Sequence, residues 1–221
     1  LFFLGQYFLW SALVLWTLLQ FNGWLSGIIP QNFRNTIARQ PVWLQAIEVL
    51  FVSDLLIYWG HRLQHKVDFL WHFHKVHHTV QQMDWLAAHR KHPIDSIYTI
   101  GIINLPGFIM GFELEALVAF TGIWAIYIHS NVRLPLGPLK VLIGSPELHH
   151  WHHDIERDRG NYANLSPLMD KLFGTYTCPP HQPEKFGIKE EMPNTYLRQM
   201  IDPLLPDSLI QPHKEETKTS L

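Results

Sequence analysis

Residues 54–79 read DLLIYWGHRLQHKVDFLWHFHKVHHT, and the fold turns on this stretch. It opens as the end of an apolar run and closes as a series of histidines. His61 and His65 stand four apart, and His74, His77 and His78 follow in the pattern H-x-x-H-H. On a helix, spacings of three and four stack side chains on one face. The stretch therefore predicts helices that leave an apolar environment and present imidazoles to a common point.

Reading outward toward the N-terminus, residues 41–59 are apolar, interrupted by Glu48 and Asp54, and predict a helix leaving a bilayer. Residues 1–30 carry no charged side chain. About 20 apolar residues suffice for a helix to cross the hydrocarbon core, so this is expected to be a transmembrane span. It is too long, and too rich in Trp and Phe, for a signal peptide. Leu1 already lies inside the apolar run, so an upstream piece is expected to be missing.

Reading outward toward the C-terminus, residues 94–128 form a third apolar region with Pro106, Gly107 and Gly111 near its middle. It predicts a helical hairpin with arms of about 16 residues, or roughly 24 Å each, dipping deeply without crossing fully. A hairpin returns to the side it left. His92 and His129, at its two ends, are thus expected to face one compartment together with Arg90, Lys91 and Arg133. Arg62, Lys66, Lys75 and Lys140 join them, and the positive-inside rule assigns that side to the cytoplasm. Arg34 and Arg39, in the loop between the first two spans, count against that orientation. Beyond Pro135 the chain is polar and rich in proline, and from His181 it reads as an extended solvated tail ending in KEETKTSL. The expected organisation is one membrane-embedded domain over residues 1–180, with its motifs in 54–176, and a polar tail over 181–221.

Composition narrows the chemistry. The 221 residues carry 17 Lys and Arg against 19 Asp and Glu, a net charge of -2 that gives no basic field for nucleic acid. Cys178 is the only cysteine, so thiolate-rich zinc and iron–sulfur sites are excluded and any metal must take nitrogen or oxygen ligands. Histidine, by contrast, occurs 15 times, and in blocks. The H-x-x-H-H pattern recurs at His149, His152 and His153. With His61, His65, His74, His77, His78, His92 and His129 this makes ten candidate ligands, enough for two metals. The alternative, hydrogen-bonded histidines on solvated helices, suits one residue better than the whole set, because neutral imidazoles packed together leave many nitrogens unsatisfied. His72, His89 and His150 fall off the pattern and are assigned supporting roles; His181 and His213 are bystanders in the tail.

Imidazole ligation suits zinc, copper, iron or nickel. A hydrolytic zinc site would want the Glu of H-E-x-x-H, whereas Arg62 follows His61 and Lys75 follows His74. That counts against a membrane metallohydrolase. A zinc or copper carrier or sensor would want polar residues along the spans themselves. A redox metal placed where membrane helices meet the cytoplasm points instead to oxygen activation on an apolar substrate. Metal-bound histidines need acceptors for their other ring N–H. Asp54, Tyr58, Asp95, Asn131 and Asn161 are the expected orienting residues, with Asp84, Glu147 and Asp154 also suitably spaced, and Asp54 the first choice.

These motifs together resemble the fatty acid hydroxylase superfamily, also called the sterol desaturase family. DLLIYWGHRLQH and WHFHKVHHT resemble its first two histidine boxes, RKHPID its R-x-H-P element with His92, IHSNVRLPLGPL the segment with His129, and SPELHHWHH its last box. NYANLSPLMDKLFGTY is similar to the closing stretch, with Ala163 and Met169 in place of the common Gly and Trp. The resemblance implies an all-α, integral-membrane helical bundle with a cytosolic helical cap carrying a histidine-lined dimetal site. It also implies two iron ions, O2, and oxidation of a lipid drawn from the bilayer: a sterol, fatty acyl chain, sphingolipid, carotenoid or ether lipid. Zinc found in a purified sample would not refute iron. No segment resembles a cytochrome b5 or flavin module, so electrons are expected from a separate protein of cytochrome b5 or ferredoxin type. Arg62, Lys66, Lys75, Arg90 and Lys91 are its expected docking face.

Overall fold

A computed structural model describes residues 2–112 and 114–205, apart from the side chains of 114–118. Among the described residues there is no strand, only one isolated bridge between Asp154 and Phe186. Helix α1 spans Phe2–Ile28, with one wide π turn at Gln6–Trp10. Pro30 ends it and opens the short α2, Gln31–Ala38. Pro41 opens α3, Val42–Lys66. Extended Val67 then redirects the chain into α4, Asp68–His78, so the first two histidine boxes lie on separate helices.

The expected hairpin is α5, Pro93–Met110, and α6, Leu114–His129. Its bend lies at Gly111, whose φ of +90° closes α5 while the Phe112 and Gly111 N–H groups bond back to the last turn. Pro106 stays inside α5 and does not divide it. The arms are therefore 18 and 16 residues, and the first is longer than expected.

α1, α3 and α5 are each long and apolar enough to cross a membrane; among the described residues α6 has the shorter apolar stretch Ala119–His129. Their outer faces are bare. Phe8 and Val42 are each 80% exposed, and Trp16, Trp24, Trp43 and Ile123 are also exposed. Apolar surface on this scale fits lipid and not water. Inside the bundle, Val14, Leu18 and Leu25 of α1 pack on Phe108 of α5. A Cβ on Gly60 of α3 would stand 2.8 Å from Ile102 Cδ1, so glycine sets how closely α3 and α5 approach. Arg34, which ran against the charge rule, has a local role: its guanidinium donates to the Phe108 and Ile109 carbonyls at the C-terminal end of α5.

Beyond the bundle lie α7, Pro146–His152, α8, Leu168–Leu172, and α9, Tyr196–Ile201. The expectation of an extended solvated tail from His181 fails over residues 181–205. His181 O accepts from Trp151 Nε1, Ile155 N donates to Lys185 O, and Gln199, Met200 and Asp202 are buried. The polar composition misled because this segment is held by backbone and amide hydrogen bonds. KEETKTSL and His213 lie outside the described residues.

Candidate metal centre

Four of the helices deliver the histidines. α3 contributes His61 and His65 from its last turns, α4 His74, His77 and His78, α6 His129 from its end, and α7 His149 and His152, with His153 as its C-cap. Nine of the ten candidates converge in two buried groups. His61, His65, His74, His78 and His152 form one; His77, His129, His149 and His153 form the other, with the ligand atoms within each group all inside 4.8 Å of one another. Each H-x-x-H-H box is shared between the groups. His77 parts from its box-mates, and so does His152, which is how two short helices serve both.

Ring tautomers follow from the partners. Nδ1 of His61 meets Tyr162 O at 2.9 Å, that of His152 meets Gly160 O at 2.8 Å, and that of His65 meets Arg157 O. Nδ1 of His74 meets Asp95 Oδ1 at 2.9 Å, that of His77 meets Arg90 O at 3.2 Å and that of His129 meets Ala125 O at 2.6 Å. A carbonyl or carboxylate oxygen only accepts, so in all six rings Nδ1 carries the proton and donates. Nε2 of each neutral ring is then a bare lone pair. These lone pairs face one another: His61 Nε2 lies 3.1 Å from His74 Nε2, and His129 Nε2 lies 3.1 Å from His77 Nε2. Nε2 of His65 and His152 is buried with no partner. Lone pairs at such distances repel unless a cation lies among them, and buried nitrogens without partners are costly. The residues fit two metal ions.

Electrostatics agree. Burial, reinforced by neighbouring histidines, holds His77, His78, His149 and His153 well below the ordinary histidine range, and burial brings His152 to about 3. These rings are neutral at pH 7, the form in which an imidazole can bind a metal. Around them, Trp71 packs its ring 5.1 Å from His65 and 5.4 Å from His78, and Tyr162 lies 5.2 Å from His65. Such walls keep water from the imidazoles.

His92 is the candidate the structure leaves out. It caps α5, accepting from Ile94 N at Nδ1, and its Nε2 bonds Met200 O at 3.0 Å. Both nitrogens are used. Of the orienting residues, Asp95 touches a histidine, through His74. Asp54 accepts from the Leu165 and Ser166 N–H groups and so ties α3 to a loop, away from the histidines. Tyr58 receives Arg62 and meets Thr175, and Asn131 donates to Met83 O. Asp84 caps the Trp85–His89 turn, Glu147 pairs with Lys140, and Asp154 pairs with Arg159. His150 bonds Gln182, and His89 packs on Phe3.

Asn161 acts indirectly. Its φ of +55° and the +102° of Gly160 make a tight turn, and a Cβ on Gly160 would meet Thr175 O at 2.1 Å. The Asn161 amide holds that turn to Leu148 O and Thr177. The carbonyls on either side are thereby aimed at His152 and His61. Sequence reading looked for side-chain acceptors and missed these main-chain ones; the Gly160–Asn161 pair was the available turn signal.

The comparisons with known proteins bear on this geometry. A family model described as fatty acid hydroxylase matches residues 46–175, more than half of the chain. The chain belongs to the fatty acid hydroxylase family. Among its relatives it is similar to the ornithine lipid hydroxylase OlsE of Rhizobium tropici, with 30% identity over 74% of this chain and 51% of that protein. It is 33% identical to the alkylglycerol monooxygenase of Homo sapiens over 56% of this chain and 28% of that protein. It is 29% identical to a Delta(7)-sterol 5(6)-desaturase of Gibberella zeae over 59% of this chain and 37% of that protein. The chain thus spans about half, or less, of these relatives' length. No solved structure matches it.

Proposed function

We propose that this fatty acid hydroxylase family member oxidises a C–H bond of a membrane lipid, by hydroxylation or desaturation, at a pair of iron ions held by the nine converging histidines. The observation that carries the reading is the set of Nε2 lone pairs aimed at two common points at one end of a bundle with lipid-facing walls. The named activities of the relatives, hydroxylase, monooxygenase and desaturase, share that reaction class. Iron at the two groups would supply O2 activation. Everything else falls to the chain. The loop carbonyls of Arg157, Gly160 and Tyr162, with Asp95, keep the rings in the ligating tautomer. Burial keeps the imidazoles neutral and dry. The apolar outer faces admit a lipid laterally from the bilayer.

Electrons come, in this reading, from a separate protein of cytochrome b5 or ferredoxin type. The expected basic docking face is narrower than it looked, because Lys66 pairs with Asp158 and Lys75 with Glu190. The motif-bearing domain is taken as residues 1–180, with the histidine end on the cytoplasmic side. Exposed Cys178 lies on that end and reports the orientation without any substitution. A membrane-impermeant maleimide is expected to label it in inside-out vesicles and not in right-side-out ones; the reverse pattern rejects the cytoplasmic assignment.

The test of function is metal content per chain combined with O2-dependent product formation from membrane lipids in the presence of a reductant. Product that tracks iron loading supports the reading. Full turnover after His77→Ala with His152→Ala defeats it.

A further inference from the structure

A cavity of about 740 Å³ opens beside the histidine cap, between the first residues of α1, the turn after α4 and the folded segment 186–199. Its walls include Phe2 and Phe3, Gln81 and Gln82, Arg90 and Asn194. Arg90 stands three residues before Pro93, where the span α5 opens, so the cavity lies where the bilayer meets water. None of the nine histidines lines it. It is nevertheless joined to them: α4 ends at His78, the next residue, Thr79, lines the cavity, and the Arg90 carbonyl that accepts from His77 belongs to a residue that lines it too.

Arg90 is the unusual member. Its Nε donates to Thr79 Oγ1 at 2.6 Å, its Nη2 to Gln199 Oε1 at 3.3 Å, and its guanidinium carbon lies 4.2 Å from the Phe2 ring centroid. Every one of these partners is neutral. Among the described residues no carboxylate stands within ion-pair distance, although Asp84 and Glu190 line the same cavity. Those two acids are engaged elsewhere: Asp84 caps Leu86 N, and Glu190 receives Trp71 Nε1 and Lys75. A half-buried guanidinium clamped in place by neutral groups, facing an open volume ringed by amide side chains, is set to pair with an anion.

We propose that this cavity binds the anionic headgroup of the lipid substrate, a phosphate or carboxylate, with Arg90 as its anchor. The identification as a substrate site rests on the lipid-oxidation reading; headgroup binding itself does not. Headgroup capture would hold one end of the lipid beside the cap while its chains remain with the apolar faces of the bundle.

The test uses the purified full chain in neutral detergent without added metal, so it reads binding whether or not the oxidation reading holds. Probes are a diacyl lipid with a phosphomonoester head, one with a carboxylate head, the diacylglycerol of the same chains, and inorganic phosphate, with complexes counted by native mass spectrometry. The anionic lipids are expected to bind at least about tenfold more tightly than the diacylglycerol, the size of effect a charge-assisted hydrogen bond gives. Arg90→Gln should reduce that preference to about twofold or less, and Arg90→Lys should keep part of it. Because Arg90 also bridges Thr79 and Gln199, the second variant is Gln81→Glu with Gln82→Glu, which adds acid at exposed wall positions and should weaken anionic lipids alone. Equal binding of the diacylglycerol, or an undiminished preference in Arg90→Gln, overturns the proposal. Full competition by inorganic phosphate overturns the lipid assignment in favour of a soluble anion. In the loaded enzyme, an anionic preference in binding with no lipid oxidised would instead reject the oxidation reading and leave the site standing.

Discussion

The two histidine groups are made of the same side chain yet are supported differently. In the five-membered group, four Nδ1 atoms have an acceptor: three carbonyls from the loop 157–162 and the carboxylate of Asp95. In the four-membered group, two do, both carbonyls, while His153 Nδ1 is buried with no partner. An acceptor behind the ring fixes its orientation and raises its basicity as a ligand. The first group therefore has both an extra histidine and the stronger support. The second has no ligand to spare. The lesson is that a site of uniform ligands need not be of uniform strength, because the loop behind the rings, and not the rings, sets the difference.

Substitutions can break this contrast at several levels. The largest effect is expected from His77→Ala with His152→Ala, which takes one ligand from each group; metal content should fall to background and product should vanish. Single changes should separate the groups: His149→Ala leaves three nitrogens and should empty its site, whereas His78→Ala leaves four and should retain most of its metal, both read as metal per chain. Equal loss from both would refute the asymmetry. Next, Asp95→Asn should weaken the five-histidine site by about 10- to 100-fold in metal affinity, with little change at the other, as expected for an orienting partner. Asp170 comes third. It accepts from the Tyr162 and Ala163 N–H groups and from Thr175, and so anchors the loop that supplies the carbonyls. Asp170→Ala is expected to cost about 2–3 kcal/mol in stability, measured by denaturant unfolding, and to loosen the five-histidine site secondarily.

The smallest effect is one of pH. In chelator-stripped protein, burial keeps His77, His78, His149, His152 and His153 from taking protons. Above the ordinary value of about 6.5 they are neutral whether folded or not; below it the unfolded chain gains protons that the folded chain refuses. Stability of the stripped protein should therefore fall as pH drops below about 6.5, continuing toward the value near 3 for His152. Metal-loaded protein should resist this fall. A melting temperature of the stripped protein that does not change with pH would contradict the burial.

Most of the site was legible because helical spacing is local. The pairs and triplets at 61–65, 74–78 and 149–153 need only 3.6 residues per turn to share a face. His92 was picked by its place at the hairpin's end and by the R-x-H-P element, not by helical spacing; in the structure its ring caps α5 and bonds Met200 O, a partner from the far end of the chain. Asp54 misled for a similar reason, since its partners Leu165 and Ser166 are remote in sequence. The histidine-orienting carbonyls carry no residue signature at all. The apolar spans were visible from composition, but the bend of the hairpin lay at Gly111 and not Pro106, because a helix tolerates proline when the surrounding packing holds it.

The central claim is that nine buried nitrogens enclose two cation sites. Anomalous scattering at the iron absorption edge, collected from iron-saturated crystals, tests it most directly. One peak inside each histidine group is the predicted result; a single peak, or none between the rings, would contradict it.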